Sequence, residues 1–267
     1  KNLKKNWWQN IATPGTTSLN PTSGAVGSTI TINGSNFSSV TGQNVVKFGN
    51  IQVPAADVTF VNTSQITAKV PVGTTGTVAV SVRVWTKTSN TQNFTILKQI
   101  VFALTHNSPF HLYLMNLDGT NPVQLTSNAL NHLAPRWSPN GTKIAYIEPS
   151  SSALVTINPD NSNRTALVSD ASVFEPSWSP DGTKLTYTCN SSAICTINSD
   201  GSNRTQLTPT ASDTTPSWSP DGTRIAFTRN GVGIFTMNTD GTAQTQITFD
   251  STDTSPSWSP LGNKIAF

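Results

Sequence analysis

The sequence predicts an all-β chain, with a small β-sandwich ahead of a β-propeller. Three observations carry that prediction. First, the segment Pro-x-Trp-Ser-Pro-x-Gly recurs around Trp137, Trp178, Trp218 and Trp258, at intervals of 41, 40 and 40 residues. A period of that size marks one supersecondary unit copied several times, each copy needing its neighbours to cover its apolar faces. Second, each copy holds short alternating runs bounded by Asp-Gly or Asn-Gly, the pattern of hairpin-linked strands. Third, the part ahead of the repeats has short strands separated by Gly, Pro and Asn, and no stretch of helical period.

Taken in chain order, residues 1–10 read as an N-terminal arm. Lys1, Lys4 and Lys5 lie beside Trp7 and Trp8. Basic residues next to paired Trp suit a membrane interface or a docking site on a neighbouring subunit. They equally suit a frayed leader left after signal cleavage. The chain lacks an initiator Met and a signal peptide, as a mature exported chain or a fragment would.

Residues 11–97 read as the sandwich. Thr29-Ile30-Thr31-Ile32 alternates between two turn segments. Asn44 to Gly49, Gln65 to Pro71 and Val78 to Val84 are further strands, and Phe94-Thr95-Ile96 closes the unit. Alternation at period 2 marks strands with one face buried. The motifs are Pro21-x-Ser23-Gly24-x-x-Gly27-x-x-Ile30-x-Ile32-x-Gly34-x-x-Phe37, then Val46-x-Phe48-Gly49, then Ile66-x-Ala68-x-Val70-Pro71. In these the segment resembles the IPT/TIG family of immunoglobulin-like domains. The resemblance implies a spacer or interaction module without catalytic residues. Some members bind DNA, but this segment carries only Lys47, Lys69, Arg83 and Lys87 as basic residues, scattered among strands. Nucleic-acid binding needs a basic surface to neutralise phosphates, and is not expected.

Residues 98–267 read as the propeller. After each Trp-Ser-Pro turn comes a half-buried strand: Lys143 to Tyr146, Lys184 to Tyr187, Arg224 to Phe227, Lys264 to Phe267. A second strand follows (Leu154 to Asn158, Ile194 to Asn198, Ile234 to Asn238), then a turn at Asp160, Asp200-Gly201 or Asp240-Gly241. A short last strand ends at Leu167, Leu207-Thr208 or Ile247-Thr248. Lys98 to Thr126 is a degenerate first copy without its own Trp-Ser-Pro. Trp137, Trp178, Trp218 and Trp258 hold one register in every copy, as blade-packing residues would. These copies resemble the TolB-type, WD-like propeller repeat. The chain supplies about four blades and stops inside a fifth. The resemblance implies a closed ring of six, so the natural polypeptide is expected to continue past Phe267.

Charged residues are only 11% of the chain, well below the usual quarter. Ser, Thr and Asn take their place, as in proteins of the cell surface, the extracellular space or the periplasm. The net charge of +3 matches the three lysines of the arm; the rest is balanced. No apolar run is long enough to span a bilayer. Cys189 and Cys195 fall on adjacent strands of one hairpin, where a disulfide is geometrically open to them. Two free thiols are the alternative.

Catalytic signatures are missing: no Gly-x-Ser-x-Gly, no His-Glu-x-x-His, no phosphate-binding Gly loop. His106, His111 and His132 have no Cys or acid at ligand spacing, so neither a metal nor another cofactor is expected, and nor is enzymatic activity. The copies differ most just before the Trp. His132, Glu175, Asp213 and Asp253 sit at or near matching places, and Arg136 stands where the other copies have Ser. In a propeller that segment faces one end of the central channel, so these five are the candidates for a ligand funnel. The leading expectation is a non-enzymatic surface or secreted protein whose propeller binds protein or glycan. Self-association into a filament or surface layer is a second. A role as the front part of a secreted hydrolase is a third.

Overall fold

The computed structural model describes residues 12–74, 76–104, 109–169, 173–190, 192–209 and 212–267. Trp7 and Trp8 lie outside them. The chain divides into two compact units, Lys1–Gln99 with Asn116–Asp118, and Ile100–Met115 with Gly119–Phe267. Among the described residues the helical turns are short 3-10 segments, Ala55–Asp57 and Pro149–Ser151. Among them no helix is long and apolar enough to cross a membrane.

The first unit is a two-sheet sandwich. One sheet orders the strands Gly15–Asn20, Thr29–Ser35, Gln65–Lys69 and Val58–Asn62, all antiparallel. The other orders Ser23–Gly24, Gln92–Ile96, Thr77–Val84, Asn44–Phe48 and Ile51–Gln52, with Lys87–Thr88 hairpinned onto Thr77–Val84. Alternation decides what goes inside. Ile30, Ile32, Ile66, Val46, Val80, Val82 and Val84 are buried, while Thr29, Lys47 and Arg83 face out. Phe48 and Phe94 meet edge to face across the core, 5.5 Å between centroids. Each fully buried ring contributes roughly 2–3 kcal/mol through area removed from water. Gly34 has a steric reason: a Cβ there would run into the Gly15 carbonyl oxygen.

The second unit is an array of five antiparallel sheets in chain order. Blade 1 holds Gln99–Leu104, His111–Asn116 and Val123–Gln124. Blade 2 holds Leu133–Trp137, Ile144–Glu148, Ala153–Ile157 and Thr165–Ser169. Blade 3 holds Phe174–Trp178, Lys184–Cys189, Ala193–Asn198 and Thr205–Gln206. Blade 4 holds Asp213–Trp218, Arg224–Arg229, Gly233–Asn238 and Thr245–Gln246. Blade 5 holds Ser257–Trp258 and Ile265–Ala266. The first strands of blades 2 to 5 adjoin one another in turn, which makes them the inner strands, and the second and third strands of blades 2 to 4 form the buried centre. Tyr146, Tyr187 and Phe227 occupy one register of the second strand and are fully buried.

The Ser-Pro-Asp-Gly turn is closed by its own side chains. In blade 3 the Asp181 Oδ1 accepts from the Ser179 hydroxyl (2.6 Å) and the Thr183 N–H (3.0 Å), and Gly182 takes the left-handed φ of 71°. Hydrogen bonds from Ser179 and then Thr183 hold the carboxyl below its ordinary range. Asp221 repeats the arrangement in blade 4, and Asn140 does so in blade 2 as a neutral acceptor. In blade 5, where Leu261 replaces the Asp, Asn263 accepts from the Ser259 hydroxyl instead.

The tryptophans follow the turn. Trp178 is buried, and its indole N–H donates to the Arg136 carbonyl of blade 2 at 3.1 Å. Trp258 donates to the Ser217 carbonyl of blade 4 at 3.2 Å. Trp137 and Trp218 are half-buried against apolar clusters that their own blade shares with the blade before it.

Candidate ligand cavity in the propeller

The first strand of blades 2, 3 and 4 carries one extra residue. The pairing with the second strand shifts between Leu133 and Arg136, between Phe174 and Ser177, and between Thr214 and Ser217. The residue before the Pro takes up the bulge in a left-handed conformation: Ala134 at φ 50°, Glu175 at 54°, Thr215 at 51°, Ser255 at 58°. A β-branched or acidic side chain at such a φ, ahead of a Pro, is strained and needs the surroundings to hold it. The previous blade does so. The Thr215 N–H donates to Glu175 Oε2 at 3.0 Å and lies 3.3 Å from the Thr188 hydroxyl. The Ser255 N–H donates to the Thr228 hydroxyl at 3.0 Å, and Thr228 also meets the Thr215 hydroxyl at 2.7 Å.

The bulge decides which residues reach the channel. A cavity of about 230 Å³ is lined by Arg136 of blade 2, Glu175, Pro176 and Ser177 of blade 3, and the matching Thr215 to Ser217 and Ser255 to Ser257. Arg136 is exposed, and its guanidinium donates to the Pro135 carbonyl at 3.1 Å. Glu175 is half-buried. The hydroxyls at Ser177, Ser217 and Ser257 share the register of Arg136, one residue before the Trp.

The funnel expectation needs correcting at His132 and Asp213. An extra residue reverses the period-2 alternation, so residues five before the Trp turn away from the face that Arg136 and Ser177 share. His132 and Asp213 are both fully buried within their blades. Asp213 forms a two-point ion pair with Arg229, at 2.7 and 2.9 Å. Arg229 also reaches Gln244 and lies over the Phe235 ring at 4.4 Å. His132 Nδ1 sits 3.2 Å from the Phe110 carbonyl and 3.2 Å from the Thr126 hydroxyl, and its Nε2 is 3.6 Å from Glu148 Oε1. Desolvation by burial lowers His132 below its ordinary value of 6.5. Asp253 is half-buried at the start of blade 5, where its N–H donates to the Asp250 carbonyl; it does not line the cavity.

Glu148 is a residue that sequence reasoning passed over. It is fully buried and receives Arg164 at 2.6 and 2.8 Å, the Tyr146 hydroxyl at 3.2 Å and the Ser151 hydroxyl at 3.1 Å. Burial pushes its carboxyl upward, but the Arg164 hydrogen bonds and charge outweigh burial and leave it lowered. A signal was available. Glu148, Cys189 and Arg229 end the second strand of successive copies, and three such different residues at one register mark a place where each blade is closed differently. At Cys189 the closure is a disulfide to Cys195 on the next strand, with both residues buried and Cα atoms 5.9 Å apart.

A second cavity, of about 260 Å³, lies between the turns of blades 3 and 4 and includes Asp181, Lys184, Trp218 and Asp221. Both of its carboxylates already accept turn hydrogen bonds. Among the described residues no three His, Cys, Asp or Glu side chains come together to hold a metal ion.

The family model described as the TolB beta propeller domain matches residues 88–267, and that of the IPT/TIG domain matches residues 14–96. No curated protein matches the chain. Solved structures share the fold. A putative TolB from Agrobacterium tumefaciens is 22% identical with a TM-score of 0.54, over 70% of this chain and 64% of that one. TolB from Acinetobacter baumannii is 20% identical with a TM-score of 0.55, over 72% and 60%. An oligogalacturonate lyase from Vibrio parahaemolyticus is 17% identical with a TM-score of 0.52, over 63% and 54%. The match thus spans less than two thirds of the length of either TolB structure. The repeat register, the stacked four-stranded sheets and the family match together place this chain in the TolB beta-propeller family, with an IPT/TIG domain ahead of the propeller.

Proposed function

We propose that this chain is a non-enzymatic binding protein of the cell surface, extracellular space or periplasm. Its propeller channel is the ligand site, the ligand is protein or glycan, and the sandwich is a spacer. One observation carries the reading. The two charged residues that break the repeat, Arg136 and Glu175, lie on one cavity otherwise lined by hydroxyls and prolines. A scaffold that needed only packing has no use for that departure. A nucleophilic hydroxyl needs a base within hydrogen-bond reach. The cavity lining includes no His or Lys, and the Glu175 carboxylate already accepts the Thr215 N–H. A buried disulfide fits an oxidising compartment.

Filling the channel tests the reading. Ser217→Trp places a large ring in the cavity without touching the blade centres. Unaltered and substituted proteins are compared on glycan and peptide arrays. The expected result is one or more ligands bound by the unaltered chain and lost in the variant, with unchanged melting. Identical binding profiles, or no binding on either array, would count against the channel as the site.

A further inference from the structure

The inner wall of the channel has two levels. At the bulge stand Glu175, Thr215 and Ser255; one residue before each Trp stand Arg136, Ser177, Ser217 and Ser257. The first level is an acceptor level. Glu175 Oε2 takes the Thr215 N–H, and among the described residues no donor reaches Oε1. The second is a donor level. Arg136 spends one N–H on the neighbouring Pro135 carbonyl, and a guanidinium has five in a planar fork. The Ser177 hydroxyl oxygen accepts the Trp218 backbone N–H at 3.3 Å, which leaves its own proton available to a ligand. Pro176, Pro216 and Pro256 lie between the levels and add apolar surface.

We infer that this cavity is a subsite for one uronic acid residue of an acidic glycan, its carboxylate on Arg136 and the serine arc, its ring hydroxyls on Glu175. The inference rests on the channel-binding reading and adds the ligand's chemistry to it. A planar guanidinium with open N–H groups matches a carboxylate in two-point geometry, in a way a lysine would not. Glu175 asks for hydroxyl donors, and a sugar ring brings several. An acidic peptide would satisfy Arg136, but its side chains bring a second carboxylate toward Glu175 and no hydroxyls. A volume of about 230 Å³ exceeds the roughly 150 Å³ that admits a benzene ring, which leaves room for one pyranose ring. Neutral sugars would fill the same space and leave the guanidinium unpaired.

The test is calorimetric titration of the full chain with four probes: trigalacturonic acid, its fully methyl-esterified form, a neutral galactotriose, and triglutamate. Trigalacturonate is expected to bind. Esterification, and separately Arg136→Gln, each weaken that binding by about tenfold or more, the loss of a charge-assisted hydrogen-bonded pair. Arg136→Lys restores only part of it. Arg136 is exposed, so these variants should melt with the unaltered chain, and that is checked in the same samples. Four results would each overturn the inference: equal affinity for the esterified trimer, unchanged binding in Arg136→Gln, tighter binding of triglutamate, or no binding of trigalacturonate. If the neutral trimer binds at least as tightly as trigalacturonate and Ser217→Trp abolishes it, the channel reading stands and the uronate assignment falls. If no probe binds and Ser217→Trp leaves the array profile unchanged, both fall.

Discussion

His132 is held neutral at a cost that depends on acidity. Its Nδ1 side faces the Phe110 carbonyl and the Thr126 hydroxyl. Its Nε2 side faces Glu148, and the His111 and Tyr146 rings lie 5.8 and 5.4 Å away, centroid to centroid. Burial lowers its folded value below 6.5. The unfolded chain therefore takes up the proton first as pH falls. The contribution is fully present above about pH 6.5 and is lost as acidity carries the solution down toward the lowered value. Glu148 is lowered as well, so its own contribution disappears at still lower pH. Melting measured between pH 7.5 and 5 should show a falling Tm, with a shallower slope in His132→Asn; parallel slopes would refute the assignment. Arg164 is partly exposed, with 43% of its side chain accessible, which tempers its weight. Arg164→Ala should still cost about 2 kcal/mol, since it strips the strongest partner from a buried carboxylate. Pairing it with Glu148→Gln should recover part of that loss, and a double-mutant cycle with no coupling would refute the pair.

At the scale of strands and hairpins, two devices hold the blades. The Cys189–Cys195 bridge links the second and third strands of blade 3 across a short loop. Closing so small a loop is worth about 2 kcal/mol on chain-entropy grounds. Reduction under denaturant should lower the unfolding midpoint accordingly. In the folded state without denaturant both sulfurs should resist reductant and alkylating agent, because both residues are buried. The second device is the bulge. Thr228→Val removes the acceptor of the Ser255 N–H and the partner of the Thr215 hydroxyl, and should cost about 1–2 kcal/mol. A value near zero in urea titration would show that the left-handed residues are held by other means.

The same two devices mark what could be read from the residues. The blades were legible because Trp, Pro and Gly each have one structural reason to recur at a fixed place. The bulge was not, because left-handed Glu175, Thr215 and Ser255 carry no mark in the sequence; Gly or Asn would have flagged them. Missing that one residue put His132 and Asp213 on the channel wall, when only Arg136 and Glu175 of the five candidates line the cavity. Glu148 escaped notice because a lone acid in a strand reads as an outward face until its arginine, sixteen residues on, is seen beside it.

For the molecule as a whole, each of the two compact units has apolar cores of its own. Calorimetry should therefore resolve two transitions. Thr228→Val and replacement of both cysteines should lower one and leave the other in place. A single transition shifted by either change would mean the two units unfold together.

The register ended by Glu148, Cys189 and Arg229 bears on how such a chain finds its fold. Neighbouring copies this alike invite a strand to settle into the wrong blade, a known hazard of repeat proteins. Here each second strand ends in a group whose partner lies in its own blade. Glu148 takes Arg164, Cys189 takes Cys195, and Arg229 takes Asp213. A second strand swapped alone would set a thiol against a guanidinium, or a carboxylate against a carboxylate. The three closures thus act as addresses, telling otherwise interchangeable second strands apart as each blade forms.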